Sequence, residues 1–74
     1  MGRADKILEK MRNNPQDWRI DDLKVVALAF GVEWRQHGTS HVVFIRPDGR
    51  TLPVPARRPI KPIYVRKFVD FVTD

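Results

Sequence analysis

The 74-residue chain can fill one hydrophobic core but not two, so a single domain is expected. The absence of cysteine excludes disulfides and thiolate metal sites, and no apolar run approaches the roughly 18 residues of a membrane-spanning helix. The formal charge of +5 is unevenly placed: Met1 to Gly31 nearly balances, whereas Val32 to Val69 carries Arg35, Arg46, Arg50, Arg57, Arg58, Lys61, Arg66 and Lys67 against only Glu33 and Asp48. Such an excess attracts polyanions, of which nucleic acid is the commonest in a cell. Residues Met1 to Arg12 mix charges with apolar positions and lack the continuous apolar core of a secretory leader. A reducing cytoplasm is therefore the expected compartment.

Arg3 to Arg12 reads as a first helix, with Ile7, Leu8 and Met11 on one face, ended by Asn13-Asn14-Pro15. A second helix is predicted from Asp21, with Asp21 as its cap, Asp22 in the first turn and Ile20 stapled to Val25. Leu23, Val26, Ala27 and Phe30 make its apolar stripe, and Gly31 supplies the left-handed residue that stops it.

Three short strands follow. Val32 to His37 alternates, and a turn at Gly38-Thr39 leads into the β-branched and aromatic run His41 to Arg46. Pro47-Asp48-Gly49 is a turn, and the third strand runs from Arg50 to Val54. Pro53 and Pro55 lack backbone donors, which assigns that strand to a sheet edge. After the basic loop Pro55 to Pro59, Pro62 suits the first turn of a last helix whose core stripe is Val65, Phe68, Val69 and Val72. The expected fold is α+β, in the order α-α-β-β-β-α, with helices on one face of a three-stranded antiparallel sheet.

Strand periodicity puts Phe44 towards the helices and His41 on the other face, at the mouth of a turn and near cations. An imidazole is the side chain best suited to exchange protons near neutral pH. RNA carries its own nucleophile in the 2′-hydroxyl, so one base with cations on the phosphate can be enough to cut it without a metal. By position alone a histidine beside a hairpin is more often a surface residue, and pattern does not choose between His41 and His37. Arg35, Arg46, Arg50, Arg57, Arg58 and Lys61 are candidates for gripping phosphates, with a solvated basic face as the plain alternative. Arg46 shares a strand face with Phe44 and could instead cover the sheet edge, while Lys61 opens a helix where free amides also attract phosphate. Trp34 is read as core rather than as a stacking platform. Tyr64 and Phe71 widen the apolar arc of the last helix, to be covered either by a partner or by the first helix.

The stretch Trp34-Arg35-Gln36-His37-Gly38-Thr39-Ser40-His41-Val42-Val43-Phe44 resembles the signature of the HicA (YcfA-like) toxin family. That signature is a strand with Arg, then Gly-Ser/Thr-(Ser)-His, then an aromatic three residues on. Val54-Pro55, Ile60-Lys61-Pro62 and Val65-Arg66-Lys67-Phe68 resemble the family's later segments, so the likeness runs from about Ile20 to Val72. It implies a double-stranded-RNA-binding-like fold and a metal-independent endoribonuclease (an mRNA interferase) acting under stress. A HicB-like antitoxin is the implied protein partner, and neither membrane nor cofactor is called for. Carried over by position, His41 is the catalytic histidine, Gly38 the turn glycine, and Thr39 and Ser40 the small polar residues before it. His37 matches nothing in the signature. Two departures stand out: Val42 occupies the place where many members have a second His, and residues 1–19 add an N-terminal helix and connector to an otherwise compact toxin domain over 1–74. Two other readings use the same residues: a non-catalytic RNA-binding module, and an adaptor that binds protein through its last helix.

Overall fold

Phe44 and the residues it touches organise the fold. In the computed structural model, which describes residues 2–38 and 40–74 (His37 by its backbone), the Phe44 side chain is fully buried. Its ring lies 4.9 Å from that of Phe68 and 6.4 Å, edge on, from that of Trp34. The elements are α1 (Arg3–Asn13), α2 (Ile20–Ala29), β1 (Glu33–His37), β2 (His41–Ile45), β3 (Thr51–Pro55) and α3 (Pro62–Thr73). The α+β class and the element order are those the pattern predicts.

The sheet is antiparallel in the order β1-β2-β3. Val42 and Phe44 of β2, Val54 of β3 and Trp34 of β1 face the helices. Leu23, Val26 and Ala27 of α2 meet them, together with Val65, Phe68 and Val69 of α3 and Leu8 and Met11 of α1. Helices α2 and α3 pack on the sheet, and α1 packs against both of them. Trp18 ties this additional helix down: its indole N–H donates to Asn14 O at 2.6 Å, and its carbonyl accepts from Ile60 N–H at 2.7 Å.

Local details move by a residue or two. Helix α2 starts at Ile20, with Arg19 as N-cap, so Asp21 is not the cap. Asp22, at N3, instead reaches back to the cap residue, its carboxylate accepting from Arg19 N–H at 3.0 Å. The shift also dissolves the expected Ile20–Val25 staple, since Val25 is exposed, and puts Trp18 and Leu23 at the two staple positions. Phe30 becomes the C-cap, and Gly31, at φ 73°, turns the chain into β1.

Two hydrogen bonds fix the alternation of the β2–β3 ladder. Ala56 N–H donates to Ser40 O at 2.9 Å and Arg46 N–H donates to Arg50 O at 2.8 Å, so both flanking pairs are of the hydrogen-bonded type. With the observed register, His41↔Pro55 and Val43↔Pro53 are therefore the non-hydrogen-bonded pairs between them. At such positions the backbone of β3 points outward, so Pro53 and Pro55 cost the ladder nothing and leave the outer edge of β3 short of donors. Between β2 and β3, Gly49 N–H bonds Arg46 O at 3.0 Å and Gly49 sits at φ 93°, a three-residue hairpin loop closing on a left-handed glycine.

Truncating Phe44 to Ala removes the ring that joins sheet to helices. It should cost about 3–5 kcal/mol, much of what a domain this small possesses. The cooperative urea transition monitored by circular dichroism should shift far towards zero denaturant or vanish.

Candidate functional site

β2 starts directly after the turn, and its alternation settles where His41 points. Val42 and Phe44 are buried beneath the sheet, so His41 stands exposed on the opposite side. On one side its Cα partner is His37, on the other Pro55. Because His41↔Pro55 is a non-hydrogen-bonded pair, those two side chains stand close together. Gly38 makes the turn at φ 65°, a conformation that L side chains rarely adopt. Ser40 Oγ lies 3.4 Å from His41 Nδ1. The tautomer that donates from Nδ1 leaves Nε2 with a free lone pair. Thr39, expected beside Ser40, lies outside the described residues, as does the side chain of His37.

His41 lines two adjoining depressions that share Pro55 and Tyr64. One continues over Ser40, Ala56, Arg57 and Lys61; the other over Leu52, Pro53 and Lys67. Together they form a groove that crosses the β3 edge to the first turns of α3. Arg57, Lys61 and Lys67 supply three cations, all exposed, and among the described residues no acidic one lines the groove. Among the described residues none of the three is in an ion pair. Lys67 Nζ lies 5.6 Å from the centroid of the Tyr64 ring. A positive groove without counter-charges binds anions, and the imidazole at its wall can exchange a proton with one.

The remaining predicted cations are placed elsewhere. Arg46 and Arg50 sit at the far end of the β2–β3 hairpin, with Arg46 about 16 Å along the strand from His41. Arg46 donates to Phe71 O at 2.8 Å and Asp74 O at 2.7 Å, approaches Asp48 at 3.4 Å and lies over the Phe71 ring at 5.9 Å. It holds the last turn of α3 and has become part of the fold. Arg50 pairs with Asp74 at 3.0 Å and Asp48 at 3.6 Å. Arg58 lines a separate depression with Asp17 and Arg19, and Arg35 belongs to the β1 side of the sheet beside Glu33. Of the six, only Arg57 and Lys61 reach the histidine's groove. Lys61 is the N-cap of α3, but Pro62 has no N–H and Tyr64 N–H is bonded to Lys61 O, so the helix start offers little beyond the Ile63 amide.

Two groove residues, Tyr64 and Lys67, were not among the candidates. The available signal was their spacing, since Lys61, Tyr64 and Lys67 recur every three residues on one helical stripe. Tyr64 therefore borders the groove, and Phe71 lies under Arg46. Among the described residues there is no group of three His, Cys, Asp or Glu that could hold a metal ion, and no helix is long and apolar enough to cross a membrane.

Comparison with known proteins returned no matching family model, no matching curated protein and no matching solved structure.

Arg46→Met should lower stability by about 1–3 kcal/mol, the worth of charge-assisted bonds to the α3 carbonyls. Thermal unfolding followed by circular dichroism measures the loss.

Proposed function

We propose that this chain is a HicA-like toxin, an endoribonuclease that cuts messenger RNA with His41 as general base. The observation that carries the reading is the exposed His41 imidazole on the wall of a groove with Arg57, Lys61 and Lys67 and, among the described residues, no carboxylate. The resemblance around Gly38-Thr39-Ser40-His41 supports it independently. The run α2-β1-β2-β3-α3 has the order that a double-stranded-RNA-binding-like fold requires, with α1 added to it. A HicB-type antitoxin partner and a cytoplasmic setting belong to the same proposal.

In this mechanism Nε2 of His41 takes the proton from a ribose 2′-hydroxyl. The 2′-oxygen attacks the adjacent phosphorus as the bond to the 5′-oxygen breaks. That oxygen leaves with a proton drawn from water, the hydroxide so formed takes the proton held by His41, and the products are a 2′,3′-cyclic phosphate and a 5′-hydroxyl. Lys61, Lys67 and Arg57 offset the charge that builds on the phosphate oxygens. Pro55 and Tyr64 flank the imidazole and limit how the ribose can approach. The role once assigned to Arg46 and Arg50 passes to Lys67, since those two arginines are engaged at the other end of the hairpin.

His41→Ala should fold normally, bind RNA and lose scission by a factor on the order of 10²–10⁴. The assay is incubation of purified protein with a messenger RNA, read on a denaturing gel and by the cyclic-phosphate end. Growth arrest on expression should disappear with it. Scission at the wild-type rate by the folded variant would remove His41 from the chemistry. Binding without scission by the wild-type chain would make this a non-catalytic RNA-binding module.

Lys61→Gln and Lys67→Gln should each weaken RNA binding for any sequence. Each should also reduce the slope of log affinity against log salt by about 0.7–1. The same titration on Arg50→Gln should leave the slope as it is in the wild type.

A further inference from the structure

The two edges of the sheet are built differently. On β3 the outward backbone positions include Pro53 and Pro55, which have no N–H to offer a further strand. On β1 the situation is reversed. Since Val42 and Phe44 direct their backbone groups to β3, His41, Val43 and Ile45 direct theirs to β1, where they meet His37, Arg35 and Glu33. The N–H and C=O groups of Trp34 and Gln36 therefore point out of the sheet, and β1 contains no proline.

An exposed apolar margin runs beside this edge. Leu28 of α2 is 73 % exposed and Val25, one turn before it, is 46 % exposed. Leu28 lines one depression together with Glu33, Trp34 and Arg35, which puts it against the β1 edge. The edge has open hydrogen-bonding groups, and the helix below it has an uncovered apolar ridge.

Charge selects the occupant. Two copies of β1 can pair antiparallel about a two-fold axis in three registers that match outward groups to outward groups. Centring on Arg35 sets Arg35 against Arg35 of the second copy, like charges directly opposite. Centring on Gln36 sets Arg35 against His37. Centring on Trp34 sets Glu33 against Arg35 and Arg35 against Glu33, two opposite-charge pairs across the seam. In that register Trp34 exchanges both of its backbone bonds with its copy, and Gln36 N–H meets Val32 O. Val32 N–H is already bonded to Ala27 O at 2.8 Å and needs no further partner. The same axis brings Leu28 of the two α2 helices towards each other, while Lys24, also at this edge, is held back on its own copy by its bond to Gln36 Oε1 at 3.1 Å and by the Trp34 ring at 5.9 Å.

We infer that the β1 edge is a self-complementary interface through which two copies of this chain form a continuous six-stranded sheet, with Glu33 of each copy paired to Arg35 of the other. The seam lies on the opposite edge from the His41 groove, so both grooves stay open at the far ends of the sheet. The interface does not depend on what the groove binds.

The test is the mass of the purified full chain in solution by sedimentation equilibrium, with circular dichroism to verify folding. The wild type is expected to show a monomer–dimer equilibrium that shifts to monomer with Glu33→Arg alone, with Arg35→Glu alone and with Leu28→Lys. An equimolar mixture of the Glu33→Arg and Arg35→Glu chains is expected to recover the dimer, because every cross-seam pair is then of opposite charge. The double variant carrying both exchanges should dimerise by itself. A wild type that stays monomeric at its highest soluble concentration would overturn the inference. So would a dimer indifferent to these substitutions, or one that only a second kind of protein strand, and never a second copy, can complete.

Discussion

The structure depends on the period-two alternation of β2. This five-residue strand is bonded on both sides, so its register fixes every neighbour at once. Val42 and Phe44 lie beneath the sheet because they fill the middle of the layer over Phe68, flanked by Trp34 of β1 and Val54 of β3. Once they are buried, His41, one residue away, has to stand on the outside. A slip of one position would bury an imidazole and expose a phenyl ring, an exchange that a domain with one small core cannot absorb. Packing beneath the sheet thus sets the chemistry above it.

The same constraint explains why the two edges behave differently. Prolines are tolerated in β3 only at positions where the backbone turns away from β2, and both fall there. They bring Pro55 beside His41 and also discourage further pairing on that edge. The groove is consequently bounded by a strand that stays an edge. The β1 edge, free of such protection and bordered by Leu28, remains competent to add a strand. The histidine groove and the open strand edge thus lie on opposite margins of one sheet.

Cations in this domain do two jobs that charge alone cannot separate. Arg46 is long enough to reach from the end of the hairpin to the last carbonyls of α3, and its bonds there satisfy Phe71 O and Asp74 O. Arg50 is drawn to Asp48 and Asp74, an exposed cluster of small energetic weight. Among the described residues Arg57, Lys61 and Lys67 make no ion pair, and all three are exposed. The difference arises from the positions of only two carboxylates.

The elements, their order, the edge character of the third strand and the outward face of His41 could all be read from local signals. Those signals were strand alternation, helical spacing, and the backbone limits of Pro and Gly. Helix α2 starts one residue before Asp21 because Asp22 accepts from Arg19 N–H, while Trp18 and Leu23 pack on the core to either side of that start. The membership of the groove was not legible in the same way. Tyr64 and Lys67 are more than twenty residues from His41 along the chain and meet it only because α3 crosses behind β3. Conversely, Arg46 and Arg50 looked like site residues because they are near His41 in sequence, yet an extended strand carries neighbours apart by over 3 Å per residue. Sequence fixes what is periodic and local, whereas which charges converge on one groove depends on long-range contacts that no short window of residues encodes.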